Sequence, residues 1–397
     1  MKTIALIADS HFDSSPNGRL DECIRLHDWI ADDMEARKVD GIGHAGDVFE
    51  RASTSAERNA VAAWVTRCAN IAPMLLVAGN HDAIGADGRS ELEIFNRLRA
   101  KHPITVEPGV GVHTLAGVNV AAVAWPRRST FAASMPRASL AEQSAGINAE
   151  LARVFHGLGK ELERRGGPRL VVSHAMVGGS RTSSGQPLIG TEIEVGLADL
   201  ALTRAPLIVL GHVHLSQAFR HGESEIAYVG SPRRTNYGEQ EAKGYMLVHY
   251  DGDRLVGWER VETPATPMVD IEATWNGGVN AFEGHAPELT VAAVTGAEVR
   301  FRYTVPVDQR DAAARAAQAI RTTMLAVQGA VAVKVEETVI AETRARSVEI
   351  ARAPTLEQKL PLFWRHKGIE IPPERETRLL GKVGELRRRV RKEAVAS

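Results

Sequence analysis

Short apolar runs that stop abruptly at glycine or a polar residue recur through the first two thirds of the chain. Residues 3–8, 39–49, 73–78, 170–173 and 207–210 are each short enough, and apolar enough, for a buried strand. Between them the apolar positions fall at helical spacing. Leu20, Cys23, Ile24, His27, Ile30 and Met34 make one stripe, and Val61, Trp64, Val65 and Cys68 a second. Leu92, Phe95 and Leu98 mark a third, shorter one. A long stripe, Ile147, Leu151, Phe155, Leu158 and Leu162, runs through 140–165. Hairpins are expected over 112–124 around Gly117, and over 245–261 across Asp251, Gly252 and Asp253. A strand over 226–229 leads into Gly230-Ser231-Pro232. Alternation of strand and helix predicts an α/β architecture, a mostly parallel sheet with helices on its faces.

The pattern changes after 262–267, which holds two prolines and two threonines and reads as a linker. Strands over 269–275, 299–305 and 331–339, with an alanine-rich helix over 308–327, predict a small α+β module. Beyond 351–354 the chain is helical. Its last stretch, 375–392, is basic, with Leu379, Leu380, Val383, Leu386 and Val390 along one side. The expected domains are 1–265, 266–345 and 346–397.

Composition narrows the class without deciding it. The 397 residues are 44% hydrophobic and 24% charged, with a formal net charge of -1, so any nucleic-acid surface has to be local. Cys23 and Cys68, the only cysteines, have no metal-ligand spacing and read as buried thiols of a reducing compartment. Asp9 comes too early for a signal peptide, and no apolar run has membrane-spanning length. The expected location is the cytoplasm, with no membrane contact. The Gly- and Ser-rich loop 178–190 is either unstructured or in contact with substrate.

The strand ends carry the chemistry. Asp9/His11, Asp47, Asn80/His81, His174 and His212/His214 each sit at the carboxyl end of an apolar run, where open α/β sheets place their sites. Residues two apart in extended chain face the same way, so Asp9 and His11 can reach one point. Gly46 permits close backbone approach, and the Asp47 carboxylate has an oxygen for each of two cations. The donor set of carboxylate, amide oxygen and imidazole lacks a thiolate, which suits Mn, Fe or Zn better than Ca or a structural zinc. His27, His102, His113, His156, His221, His249, His285 and His366 fall outside the pattern and are read as non-ligands. His44 is read as lying behind the ligands.

Asp-x-His, Gly-Asp, Gly-Asn-His-Asp, a lone His and Gly-His-x-His, in that order, resemble the calcineurin-like metallophosphoesterases. The resemblance implies a four-layer sandwich of two mixed β-sheets flanked by helices, here followed by a small α+β capping module and a helical C-terminal tail. It implies two divalent metal ions, with Mn2+ preferred. Asp9, His11, Asp47 and His214 would hold one, and Asp47, Asn80, His174 and His212 the other. His81 would be the catalytic histidine beside the leaving group. The flanks HAGDVF, GHVH and YVGSP, with Tyr237-Gly238-Glu239, are similar to the SbcD-type nucleases of bacterial SbcC–SbcD DNA-repair complexes. That narrower resemblance covers residues 1 to 260. It implies a DNA exonuclease/endonuclease, with DNA and an SbcC-like coiled-coil ATPase as partners and a homodimer admitted. Some of those nucleases carry a His three residues after the bridging Asp, where this chain has Glu50, so the preferred DNA end stays open. Arg233 and Arg234 are candidate substrate contacts, or else solvated arginines. Two other functions remain: hydrolysis of a small-molecule or protein phosphoester, and a DNA-end-binding scaffold.

Overall fold

The computed structural model describes residues 1–15, 18–82, 89–127, 140–183, 193–284, 294–340 and 347–396. Asn17, His285 and the 184–190 portion of the Gly/Ser loop lie outside the described residues. The chain divides into two compact units. The first comprises Met1–Ile271, Pro287–Phe301 and Arg321–Lys334, and the second Glu272–Ala286, Arg302–Ile320 and Val335–Ser397.

Two six-stranded mixed sheets form the body. The first uses β1 (Lys2–Ile7), β2 (Gly41–His44), β3 (Met74–Val77), β4 (Ile104–Glu107), β13 (Gly244–Asp251) and β14 (Arg254–Glu262), in the order β14-β13-β1-β2-β3-β4. The second uses β5 (Val110–Leu115), β6 (Val118–Val123), β7 (Arg169–His174), β10 (Leu207–Gly211), β11 (Gln217–His221) and β12 (Ser224–Tyr228), in the order β11-β12-β10-β7-β6-β5. Each has four parallel strands at its heart, β1 to β4 in one and β12-β10-β7-β6 in the other. Antiparallel strands border the first sheet on one side, at β13 and β14, and the second on both, at β5 and β11. The expected parallel sheet is thus two four-stranded parallel blocks with antiparallel additions.

Side-chain alternation in the second sheet shows the layering. Val120, Ala122, Leu170, Val172, Leu207 and Val209 join the core that holds the first sheet and the inner faces of α1 (Leu20–Ala36) and α2 (Ser55–Ile71). Their neighbours Ala121, Val123, Val171, Ile208 and Leu210 join a separate core under α3 (Leu140–Arg165) and α4 (Leu197–Ala201). Period-two strands present one set of residues to each face, so the sheets pack on each other and each carries helices outside. On α3 the stripe Ile147, Leu151, Phe155, Leu158 and Leu162 is the buried face. Thr54 caps α2 by accepting from the Glu57 amide, while Glu57 returns the bond to the Thr54 amide, a reciprocal cap that fixes where the helix starts.

Two elements differ from expectation. Glu91–Arg97 is a single 3-10 segment and not an α-helix, because only seven residues separate its Ser90 cap from its end at Leu98. β11, with mostly exposed residues, was not visible as an apolar run; it is an edge strand needing burial on neither side. Short β8 (Met176–Val177) and β9 (Glu194–Val195) pair in parallel.

Beyond the body, β15 (Met268–Asn276), β16 (Ala281–Gly284), β17 (Glu298–Pro306) and β18 (Ala332–Ile340) make a four-stranded sheet in the order β16-β15-β17-β18. The alanine-rich helix is α5 (Arg310–Ala326). The tail holds α6 (Val348–Arg352), α7 (Leu356–His366) and α8 (Pro373–Ala396). Among the described residues no helix is long and apolar enough to cross a membrane.

Candidate metal centre

β1, β2 and β3 end level with one another, as do β7 and β10, so five loops leave at one rim. His44 pairs with Ile7 on one side and Leu76 on the other, and Gly211 pairs with His174. The loops after β1 and β2 are stitched together: the Asp9 amide donates to Gly46 O at 3.0 Å and the His11 amide to Asp47 O at 3.1 Å. Asp9, His11, Asp47 and His212 all hold left-handed backbone, with φ of 54°, 47°, 57° and 98°. Non-glycine residues there are strained by roughly 1–3 kcal/mol each, and such strain persists where the surroundings dictate a functional geometry. Gly46 and Gly211 let the two sheets meet at this rim. A Cβ on Gly46 would fall 2.2 Å from His174 Nδ1, and one on Gly211 2.2 Å from Ala45 O.

The seven expected ligands come together as two groups. Asp9, His11 and His214 form one, and Asp47, His174 and His212 the other, with candidate ligand atoms in each group within 4.8 Å of one another. Asn80 Oδ1 lies 2.9 Å from His174 Nε2 and 3.1 Å from His212 Nδ1, inside the second group. Asp47 stands between them, its Oδ2 3.2 Å from His174 Nε2 and 4.0 Å from His11 Nε2.

Proton bookkeeping shows what these groups fit. Glu239 Oε1 accepts from His214 Nδ1 at 2.9 Å, and Glu50 Oε2 lies 2.9 Å from His11 Nδ1. A carboxylate accepts only, so His214 Nδ1 carries hydrogen and its Nε2 a lone pair, while His11 Nδ1 is in close charge contact with Glu50 without an aligned hydrogen bond. The Nε2 atoms of His11 and His214 face each other at 3.0 Å. The Ala45 carbonyl likewise takes the Nδ1 hydrogen of His174 at 2.7 Å, which aims its Nε2 at Asn80 Oδ1 and Asp47 Oδ2. Asp9 Oδ1 accepts from the His212 amide at 2.8 Å, but its Oδ2 is buried with no partner. Acceptors converging in this way repel unless positive charge lies among them, and the donor set fits divalent cations.

Charge effects agree. Burial disfavours a charged ring at His174, yet Asp47 and Asp9 outweigh it and push its pKa up to about 9. Burial opposes charge on His214 too, and Glu239 and Asp9 raise it. For Asp47, burial works against ionisation, but His174, His11 and His81 hold the carboxyl far below its ordinary range. A site that draws protons onto imidazoles draws a divalent cation for the same reason.

His81 is beside both groups. Its amide donates to Asp47 Oδ1 at 2.9 Å and its Nδ1–H to Glu50 O at 2.5 Å. Nε2 is then the atom that can carry a mobile proton. Its ring stands edge-on to that of His11, centroids 5.2 Å apart.

Several supporting residues were not among those expected at the site. Asp82 is fully buried and accepts from the amides of Asp47, Val48, Phe49 and Gly79 at 2.8–3.0 Å, fixing the turn that presents Asp47. Behind His214, Glu239 is held by Lys243 at 2.8 Å, an ion pair almost without exposure. Trp125 lies along His212, ring centroids 4.6 Å apart. In the sequence Glu50 shows only as a departure from the nuclease pattern, and Asp82 and Glu239 only as members of motifs.

Beneath the rim runs a one-way hydrogen-bond chain. The Gly46 amide donates to His44 Nδ1, His44 Nε2–H to Ser10 Oγ, Ser10 O–H to His27 Nε2, and His27 Nδ1–H to Cys23 O. The two terminal groups leave each proton only this placement. Burial pushes the pKa of His27 and His44 down to about 3, keeping both rings neutral. His44 is therefore behind the ligands, as expected.

Arg233 and Arg234 go elsewhere than expected. Arg233 is 3% exposed and donates to the Ser10 and His11 carbonyls. Arg234 donates to the carbonyls of Glu239, Glu241, Ala265 and Thr266. Neither guanidinium is offered to a phosphate, and Arg233 is not a solvated arginine. Both brace the backbone around the centre. The reason is spatial: both side chains reach loop carbonyls that the sequence does not place beside them.

Residues 1–253 match the model of the calcineurin-like phosphoesterase superfamily domain. Among solved structures, the chain is similar to a dimetal phosphatase from Danio rerio, at 12% identity and TM-score 0.41, over 66% of this chain and 97% of that one. It is also similar to GAP50, the anchor in the inner membrane complex of Plasmodium, at 11% identity and TM-score 0.39, over 66% and 89%. A search of curated proteins finds no match.

Proposed function

The chain belongs to the calcineurin-like phosphoesterase superfamily, and from that premise we propose that it is a Mn2+-dependent DNA exonuclease/endonuclease of the SbcD type. Metal-dependent hydrolysis of a phosphoester bond rests on one observation: two groups of converging acceptors with Asp47 between them. Two divalent cations there supply Lewis acidity toward the phosphoryl group. Asp47 serves both groups, and Asp9, His11, His214, Asn80, His174 and His212 complete them. His81, with Nδ1 committed to Glu50 O, offers Nε2 to protonate the departing oxygen, a contribution typically of about 10²–10⁴-fold.

DNA is favoured by features that a minimal small-molecule phosphatase lacks. These are the 228–232 segment, the appended α+β module and the helical tail. In the tail, α7 buries none of its residues, and Leu356, Phe363, Ile369 and Leu386 are 42–61% exposed. Apolar residues left in water along the tail suit a groove on a partner, and an SbcC-like coiled-coil ATPase is the partner we assign.

The deciding experiment compares initial rates on an end-labelled DNA duplex and on an aryl phosphate, both with Mn2+. The nuclease reading requires duplex cleavage that stops on chelation. Turnover of the aryl phosphate without cleavage of DNA makes the chain a small-molecule phosphoesterase. Metal-independent binding of DNA ends without cleavage makes it a scaffold.

A further inference from the structure

The two halves of the metal centre are backed differently, and Glu50 accounts for part of the difference. Behind the ring of His174 stands a neutral carbonyl, Ala45 O, at 2.7 Å. Behind both rings of the other half stand carboxylates: Glu239 Oε1 at 2.9 Å from His214 Nδ1, and Glu50 Oε2 at 2.9 Å from His11 Nδ1. The same residue reaches the neighbouring histidine too, its main-chain carbonyl taking the Nδ1–H of His81. Arg51, next in the chain, does not compete for the carboxylate, since its guanidinium pairs with Asp13.

An imidazole with a carboxylate beside its Nδ1 is a stronger electron donor at Nε2 than one with a carbonyl there. We propose that Glu50 is a positioning residue: its carboxylate sets His11 for the cation held by Asp9, His11 and His214, and with Glu239 it makes that half of the centre the tighter-binding one. The proposal rests on the two-cation reading of the site and is independent of the substrate being DNA. Glu50 does more than occupy a loop position. Its side chain is 40% exposed, so it is not there to fill the core, and its carboxylate lies in charge contact with His11 Nδ1.

The test is a Co2+ titration of the metal-stripped full chain, followed by calorimetry and by the visible absorption of bound Co2+. The wild-type chain should take up two ions in two resolvable steps. His212→Ala, in the half backed by Ala45, should weaken the second, weaker step and so assign the steps. Glu50→Ala should weaken the tighter step about 10- to 100-fold, the usual cost of losing such a backing group, and change its absorption band while sparing the other. Glu50→Gln keeps an acceptor without the charge and, being isosteric, holds the loop. It should fall between wild type and Glu50→Ala. Loss at neither step, equal loss at both, or loss only at the step assigned by His212→Ala each overturns the proposal. Uptake of fewer than two ions by the wild-type chain is a different failure, visible before any variant is made: it removes the two-cation reading and the proposal together.

Discussion

The rim of the sandwich and the helical tail break the ordinary rules of burial in opposite directions. At the rim, carboxylates and imidazoles are buried: Asp9, His11, Asp47, His174, Asp82 and Glu239 are all at most 3% exposed. In the tail, apolar side chains are in water, Leu386 at 61% and Leu356 at 54%. Buried polar groups are tolerated only where each has a partner, and large exposed apolar ones mark a surface awaiting cover. The first kind of exception points to chemistry and the second to docking.

The largest break in the comparison is expected at Asp47. Asp47→Asn removes the charge shared by both groups. Metal content after loading with Mn2+ should fall from two ions per chain, and cleavage should drop by about 10³-fold or more, the several kcal/mol that cation stabilisation supplies. Retention of both ions with full activity would remove Asp47 from its bridging role.

His81→Gln should leave metal content and substrate binding nearly unchanged while slowing cleavage by about 10²–10⁴-fold. Such a split between binding and rate marks a group that works in the transition state. Loss of metal instead would make His81 a ligand.

A smaller effect should appear in stability against pH. His27 and His44 stay neutral in the folded chain down to about pH 3, against an ordinary pKa of 6.5. Between those values the unfolded chain binds more protons, so stability is present above pH 6.5 and is lost as pH falls toward 3. Each ring contributes about 1.4 kcal/mol per pH unit in that window. Urea unfolding of metal-stripped chain at pH 7, 6 and 5 should show a shallower fall for His27→Gln than for wild type. Parallel slopes would mean that His27 is not held neutral.

The smallest effect on stability is expected in the tail. Cutting the chain after Pro354 should shift unfolding of the body by less than about 0.5 kcal/mol and spare Mn2+-dependent cleavage of short DNA. Co-purification with the ATPase should disappear. Undiminished capture of that partner by the shortened chain would sink the docking role and with it the contrast.

The residues gathered at the rim were legible in the sequence because each is announced locally, by an apolar run that ends in a polar residue. The contacts that support them are not local. Glu239 reaches His214 across 25 positions, and Asp82 reaches the Asp47 amide across 35. Ser10 meets His44 across 34. These partnerships exist only once the sheets have folded. The arginines after Pro232 mislead for a related reason: two basic residues near a predicted site look like phosphate contacts until the loop carbonyls that claim them are in place. The long helix 140–165 and both hairpins were legible because period and turn chemistry agree there.

The pairing of β1 has a consequence for synthesis. Its antiparallel neighbour is β13, with Lys2 opposite Tyr250. At a translation rate of about 5–20 residues per second, the first strand waits roughly ten to fifty seconds for that neighbour to emerge. Until then Asp9 and His11 hang from a strand with one open edge, and β1 can pair only with β2. The nascent chain must carry that sticky edge through most of its production, exposed to other chains and to chaperones.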